Sequence, residues 1–151
     1  MLALLAFAAA VAAGVGAVRS ALNAPASGVK KTQTVLTSHS VDFGPANVAV
    51  RVLPSGAVCY TVTEPNGTAQ GCRTRVGVSE IGYAVSPRGI GGVAGSRVSA
   101  VIVKFTRLGT RWAKLEDGAF YADVPVAYRV RAIVKVLKDG TRERFKVTPS
   151  S

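Results

Sequence analysis

Polar and apolar residues alternate with a period of two through much of residues 99–147, and this alternation constrains the fold more than any other feature of the sequence. Successive side chains of a β-strand point to opposite faces, so alternation is typical of a strand that buries one face. For a strand at 126–137, the residues expected on the buried face are Tyr128, Val130, Ala132, Val134 and Val136. Those expected on the solvent face are Arg129, Arg131 and Lys135. The stretch therefore predicts a sheet with one apolar and one cationic face.

The Asp139-Gly140 turn leads into a last strand, and the length of its loop decides which residues pair. A two-residue loop would place Val134 opposite Phe145, which brings apolar side chains together. A three-residue loop would pair Lys135 with Glu143 but set the valine against an arginine. Burying an aliphatic side chain stabilises by about 1.5–3 kcal/mol, whereas an exposed ion pair contributes about 0–1 kcal/mol. We therefore predict the two-residue loop.

Further alternating segments precede this hairpin and are separated by turn signals about every eight to twelve residues. We predict strands at 48–53, 57–64, 72–78, 82–85, 99–106, 111–116, 119–124, 126–137 and 141–147. Because no helical period follows residue 18, the pattern favours an all-β sandwich or barrel over an α/β fold. The segment 88–95 carries four glycines and is predicted to be the most mobile loop.

The N-terminal residues 2–18 carry no charged side chain and are mostly Ala, Leu and Val. The run is long for a signal peptide and slightly short of the roughly 20 residues that span a bilayer. We predict a signal peptide or transmembrane anchor helix at 1–19, a linker at 20–40 and a β-sandwich domain at 41–151. Either interpretation sends the domain out of the cytoplasm, although the Lys and Arg residues after the run favour a cytoplasmic flank. A buried Ala-rich helix packed on the domain is the alternative.

Two cysteines occur in the chain, Cys59 and Cys72, and both lie in strand-like surroundings. A hairpin folded about Pro65-Asn66 places them opposite each other, within reach of a disulfide bond. The other interpretations are a redox pair or half of a metal site. The spacing does not match a C-x-x-C motif and no second cluster of ligands occurs, so we predict a structural disulfide.

The second half of the chain also carries a recurring order of apolar residues and turns. The motifs are Val101-x-Val103-x-Phe105, Asp117-Gly118-x-Phe120, Val124-Pro125 and Asp139-Gly140. This order resembles uncharacterised exported or membrane-anchored β-domain proteins of actinobacteria and, more loosely, the immunoglobulin-like modules of bacterial surface proteins. The resemblance implies an immunoglobulin-like antiparallel β-sandwich in an extracytoplasmic compartment, and it supplies no catalytic residues.

No arrangement of residues in the sequence indicates catalysis. His39 lies among serines close to Asp42, but residues this close along a flexible stretch rarely form a nucleophile, base and acid. Glu116 and Asp117 are adjacent, so on a strand they point to opposite faces, and Asp117 is better explained as a turn residue. The glycines at 89–95 lack the Lys-Ser or Lys-Thr of a phosphate-binding loop. We expect no enzyme activity, no cofactor and no metal site.

The net charge of +11 is the extreme feature of the composition, and the excess is concentrated near the C-terminus. From Arg97 onward there are twelve Lys and Arg against five Asp and Glu. The residues expected to bind a polyanion are Arg129, Arg131, Lys135, Arg142, Arg144 and Lys146. An anionic cell-envelope polymer or an anionic lipid would relieve their mutual repulsion. Nucleic acid is a less fitting partner because no aromatic residues interleave with these cations. The alternative is a solvated face that keeps the protein soluble.

These observations favour a non-enzymatic binding or structural module at the cell envelope, membrane-anchored or secreted. Its expected contacts are the membrane, through the N-terminal segment, and an anionic envelope component, through the basic sheet. The alternative is a filament or surface-layer subunit, a homo-oligomer that assembles through its N-terminal hydrophobic helix.

Overall fold

The computed structural model describes residues 36–125 and 128–147, except for the side chain at position 108. Within these ranges the chain is all-β and every strand pair is antiparallel, which confirms the predicted class. The hydrophobic helix predicted at 1–19 and most of the linker predicted at 20–40 lie outside the described residues.

Twelve strands form in the described part of the chain. They are β1 (His39–Asp42), β2 (Asn47–Val52), β3 (Val58–Glu64), β4 (Gly67–Arg73), β5 (Ile81–Ser86), β6 (Gly89–Ala94), β7 (Val98–Phe105), β8 (Thr110–Trp112), β9 (Lys114–Glu116), β10 (Ala119–Asp123), β11 (Val130–Leu137) and β12 (Arg142–Lys146). A short 3-10 helix at Thr106–Leu108 separates β7 from β8. The first strand begins at His39, two residues before the predicted start of the domain, and Leu36 already packs on the core.

The strands form three four-stranded sheets. The N-terminal sheet has the order β1-β2-β3-β4, the middle sheet β9-β10-β6-β5 and the C-terminal sheet β12-β11-β7-β8. The sequence interpretation expected the two layers of an immunoglobulin-like sandwich, so the arrangement differs by one whole sheet.

The middle sheet is covered on both faces, which divides the core into two clusters. One cluster joins its Val93 and Tyr121 to the valines of the N-terminal sheet. The other joins its Ile90 and Phe120 to Val103 and its neighbours in the C-terminal sheet. Neighbouring residues of one strand thus serve different cores, as the two-residue period of a strand requires.

Strand β6 is the central element of the middle sheet, and all six of its residues are buried. The prediction of a mobile loop at 88–95 is therefore wrong. The glycines are needed for close packing: a Cβ on Gly92 would lie 1.9 Å from the carbonyl oxygen of Gly82, and one on Gly91 would lie 2.9 Å from Val62. Glycine inside a strand marks such a close approach of neighbouring atoms.

The C-terminal hairpin adopts the three-residue loop, so the predicted register is wrong by one residue. Val134 pairs with Arg144 and Lys135 pairs with Glu143. Gly140 has a φ of 90°, the conformation that a three-residue hairpin loop requires at its last position.

A β-bulge at the start of β11 explains why the observed register is compatible with burial of the apolar side chains of this strand. The pairing with β7 shifts between Val130 and Ala132, which leaves Arg131 as the extra residue. Beyond the bulge the two faces are exchanged, so Ile133 and Leu137 enter the core rather than Ala132. Polar and apolar residues do alternate in this sequence, but the one extra residue at the bulge changes which residues of β11 face the core.

Two other predicted strands have different bounds. The segment expected at 72–78 forms β4 at Gly67–Arg73, directly after the two-residue turn at Pro65-Asn66. The segment expected at 111–116 is divided at Ala113 into β8 and β9, which belong to different sheets. The chain crosses here from the C-terminal sheet to the middle sheet.

The predicted disulfide is confirmed. Cys59 and Cys72 are direct partners in the β3–β4 pair, their Cα atoms are 4.0 Å apart, and the sulfurs are bonded at 2.10 Å. Both residues lie on the outer face of the N-terminal sheet, in one row with Arg51. Disulfides of this structural kind persist in oxidising compartments.

We expect native protein to show no thiol that reacts with a labelling reagent before reduction. The double variant Cys59→Ser, Cys72→Ser should lose about 3 kcal/mol of unfolding free energy, because the bond restricts a short loop of the unfolded chain. Urea denaturation of both proteins measures the difference. Equal midpoints would contradict a stabilising role for the bond.

Candidate polyanion-binding face

Three of the predicted cations stand in a line along edge strand β12. Arg142, Arg144 and Lys146 are exposed, and each is the direct partner of an apolar residue of β11. Alternate residues of a strand are about 6.6 Å apart, so their Cα atoms mark a row of positive charge about 13 Å long. Directly paired residues share a face, and these three lie on the outer face of the C-terminal sheet.

Arg129 and Arg131 continue the positive charge to the beginning of β11, where both are exposed. The backbone of Arg129 is fixed opposite Thr106: its carbonyl accepts from the Thr106 N–H at 3.0 Å and its N–H donates to the Thr106 hydroxyl at 3.3 Å. Arg131 is the extra residue of the bulge, beside Ala132. The structure therefore brings five of the six predicted residues onto one surface.

Lys135 does not belong to this surface, and its prediction as a ligand-binding residue is corrected. Only 5% of Lys135 is exposed. Its Nζ lies 3.1 Å from a carboxylate oxygen of Glu143, 5.2 Å from the centre of the Phe145 ring and against the carbonyl of Ser79, to which it donates a hydrogen bond. The exchange of faces at the bulge turned this lysine inward, where it ties the C-terminal sheet to a loop before β5.

Two residues of the face were missed by the sequence analysis. Lys104 of β7 pairs with Ala132, on the opposite side from Lys146, and Trp112 of β8 pairs with Ile102. Trp112 is 60% exposed. Strand alternation could have placed Lys104 on the outer face, but the predicted continuous strand at 111–116 obscured the position of the tryptophan.

We call the outer surface of the C-terminal sheet the cationic face. Its cations are Lys104, Arg129, Arg131, Arg142, Arg144 and Lys146. Its other members are Ala100, Ile102, Thr110, Trp112, Ala132, Val134 and Val136. None of these thirteen residues is acidic.

Four carboxylates among the described residues form ion pairs with cations outside the cationic face. Their ion pairs are Arg73–Glu80, Arg97–Asp139, Arg111–Asp123 and Lys135–Glu143. The short 2.6 Å contact with Arg111 lowers the pKa of Asp123 below its usual range. No cation of the cationic face has a carboxylate partner within the described ranges.

A second candidate is a cleft of about 400 Å³ beside the turn at Pro65-Asn66, with Arg88 and Asp123 at its mouth. At its base lies Glu64, which is only 6% exposed. One oxygen of this carboxylate accepts hydrogen bonds from the hydroxyls of Ser86 at 2.7 Å and Tyr121 at 2.5 Å.

The other oxygen of Glu64 accepts the backbone N–H of Arg88 at 3.0 Å. Both oxygens are therefore used within the protein, and the carboxylate joins the N-terminal sheet to the middle sheet. Burial, followed by the hydrogen bond and negative charge of Glu64, raises the pKa of Tyr121 above its usual value. The network is best explained as a structural cross-link.

The residues considered for catalysis are not assembled in the structure. His39 lies in β1 and its Nδ1 is 2.7 Å from the carbonyl of Thr37. Asp42 accepts the N–H of Gly44 and so stabilises a turn. Asp117, with a φ of 51°, and Gly118 form the two-residue turn between β9 and β10, as the sequence predicted.

Searches for other kinds of site and for relatives give no further assignment. Within 36–125 and 128–147, no helix has the length and hydropathy to cross a membrane, and no group of three or more His, Cys, Asp or Glu could hold a metal ion. Comparisons with protein-family models, curated proteins and solved structures find no match for this chain. The functional interpretation therefore depends on the chemistry of the cationic face.

The raised pKa of Tyr121 predicts a loss of stability at alkaline pH. The folded protein holds this proton more tightly than the unfolded chain, so unfolding free energy should fall by up to about 1.4 kcal/mol per pH unit above about pH 10. Tyr121→Phe should show a shallower fall in urea denaturation between about pH 9 and 11. Tyr128→Phe is the matched control, because its hydroxyl has no carboxylate partner among the described residues. The same slope in both variants would contradict the interpretation.

Proposed function

We propose that this chain is a non-enzymatic binding module of the cell envelope, held outside the cytoplasm by its N-terminal apolar segment. In this proposal the cationic face binds a phosphate-bearing anionic component of the envelope. The observation that supports it most directly is the set of six cations on one sheet face with no acidic residue among them.

The arrangement of these cations favours binding over mere solubility. A solvated surface is best served by interspersed charges of both signs, because neighbouring like charges repel. Here Arg142, Arg144 and Lys146 repeat about every 6.6 Å without an intervening carboxylate on the same face. Glu143, the acidic residue between them in sequence, pairs with Lys135 on the inner side. The repulsion thus remains on the outer face, where an anion would relieve it.

Two further features support a location outside the cytoplasm. The disulfide between Cys59 and Cys72 is of the kind found in exported proteins. The apolar run at 2–18 is of the length used for export or anchoring. Together with the resemblance to exported β-domain proteins, they favour an envelope component as the anion.

The test compares two variants with the same net charge. The face variant carries Arg142→Glu, Arg144→Glu and Lys146→Glu, and the control carries Arg51→Glu, Arg73→Glu and Arg75→Glu, all at exposed positions, those of the control away from the cationic face. Each reversal removes two charges, so both variants change from +11 to +5. On immobilised polyphosphate the control should elute close to the natural protein and the face variant at much lower salt, because lost phosphate contacts reduce the salt dependence.

Circular dichroism should show the same strand content in both variants, since all six substitutions are at exposed positions. Equal elution of the two variants would mean that retention follows net charge alone. That result would contradict a specific role for the cationic face.

A further inference from the structure

An exposed tryptophan lies at one side of the cationic face. Arg144, Val134, Ile102 and Trp112 are successive direct partners across the four strands of the C-terminal sheet. Neighbouring strands are about 4.8 Å apart, so the arginine and the tryptophan lie at opposite edges, about 14 Å from each other. Val134 and Ile102 between them are 7% and 6% exposed, yet they belong to neither core cluster.

Because this exposed indole lies on the same face as the cations, the face favours a partner that offers both apolar and anionic groups. Among the described residues only Trp112 and Val85 are large hydrophobic side chains with substantial exposure, and Trp112 is the more exposed at 60%. Tryptophan concentrates at membrane interfaces, because its ring is apolar while its N–H needs a polar partner. Lysine and arginine beside such a ring bind the headgroups of anionic lipids.

The cations are also spread over two dimensions. One row follows β12 along the edge, while Lys104, Arg129 and Arg131 lie across the sheet at the other end of the face. A linear polyanion would engage one row at a time. A planar array of headgroups can contact the row on β12 and the other three cations together, with the indole at the same depth.

From these observations we infer that the cationic face docks on the surface of an anionic lipid bilayer, with Trp112 at the level of the headgroups. The inference rests on the proposed function and names the source of its phosphate groups. A single exposed ring without a second aromatic on the face argues against stacked nucleic-acid bases as the partner.

The length of the intervening chain is compatible with this docking. Seventeen residues, 19–35, separate the end of the apolar run at Val18 from Leu36, where the described chain begins. Even fully extended, a chain of this length reaches no more than about 60 Å. A domain tethered so close to a bilayer meets it at a high effective concentration, so a weak surface contact is sufficient.

The experiment uses Trp112 as its own reporter, because the chain contains a single tryptophan. Full-length protein is reconstituted in phosphatidylcholine vesicles and in vesicles that also contain phosphatidylglycerol, each with and without brominated acyl chains. We expect the emission of Trp112 to shift to shorter wavelength and to be quenched by bromine only with phosphatidylglycerol, and high salt to reverse both effects.

The face variant and the equal-charge control are then examined in the same vesicles. Quenching should fall to the phosphatidylcholine level in the face variant and persist in the control. Equal quenching in both lipid compositions, or none with phosphatidylglycerol, would overturn the inference.

The polyphosphate assay separates this failure from a failure of the proposed function. If the face variant elutes early from polyphosphate but Trp112 stays unquenched on anionic vesicles, the partner is a polymer and only the bilayer inference fails. If the two variants also elute together, the proposed function fails as well.

Discussion

The fold depends on the close approach of neighbouring backbone and side-chain atoms to the glycines of β6. This strand lies at the centre of the middle sheet, with each of its six residues buried. A Cβ at Gly92 would meet the Gly82 carbonyl at 1.9 Å, and a Cβ at Gly89 would meet the Tyr121 hydroxyl at 2.3 Å. Because no side chain separates these atoms, β6 pairs with β5 and β10 while both outer sheets pack on its two faces. The side chains of Val93 and Ile90 then enter the two apolar cores, one on each side of the sheet.

Two buried charged side chains, Glu64 and Lys135, add polar links between the sheets that the apolar cores join. Glu64 accepts three hydrogen bonds from the middle sheet and its turn, which ties the N-terminal sheet to it. Lys135 extends from the C-terminal sheet to the carbonyl of Ser79, in the loop between the other two sheets. Burying an ion is costly unless it is paired or hydrogen-bonded, and both groups have such partners. Because Glu143 pairs with the inward Lys135, the cations on the outer face of the C-terminal sheet have no carboxylate partner among the described residues.

The sequence was sufficient where local rules decide the structure. Pro65-Asn66 between alternating segments defined the cysteine hairpin, and Asp117-Gly118 defined a two-residue turn. It was insufficient where one residue decides between two faces. The bulge at Arg131 and the three-residue loop at Gly140 together exchanged the faces of β11, which moved Lys135 inward. Periodicity does not reveal such an insertion, because a strand reads the same on either side of it.

The third layer was missed because the glycine-rich segment at 88–95 was interpreted as a loop, although its Val93 and Ile90 each enter a core. The same layer gives the C-terminal sheet a fully packed inner face, and this directs the cationic face and Trp112 outward. Hydrogen exchange tests this arrangement most directly. The amides of Gly89–Ala94 should exchange as slowly as those of Val98–Phe105, at a rate set by global unfolding. Rapid exchange at Gly89–Ala94 under native conditions would restore the mobile loop and contradict the three-sheet fold.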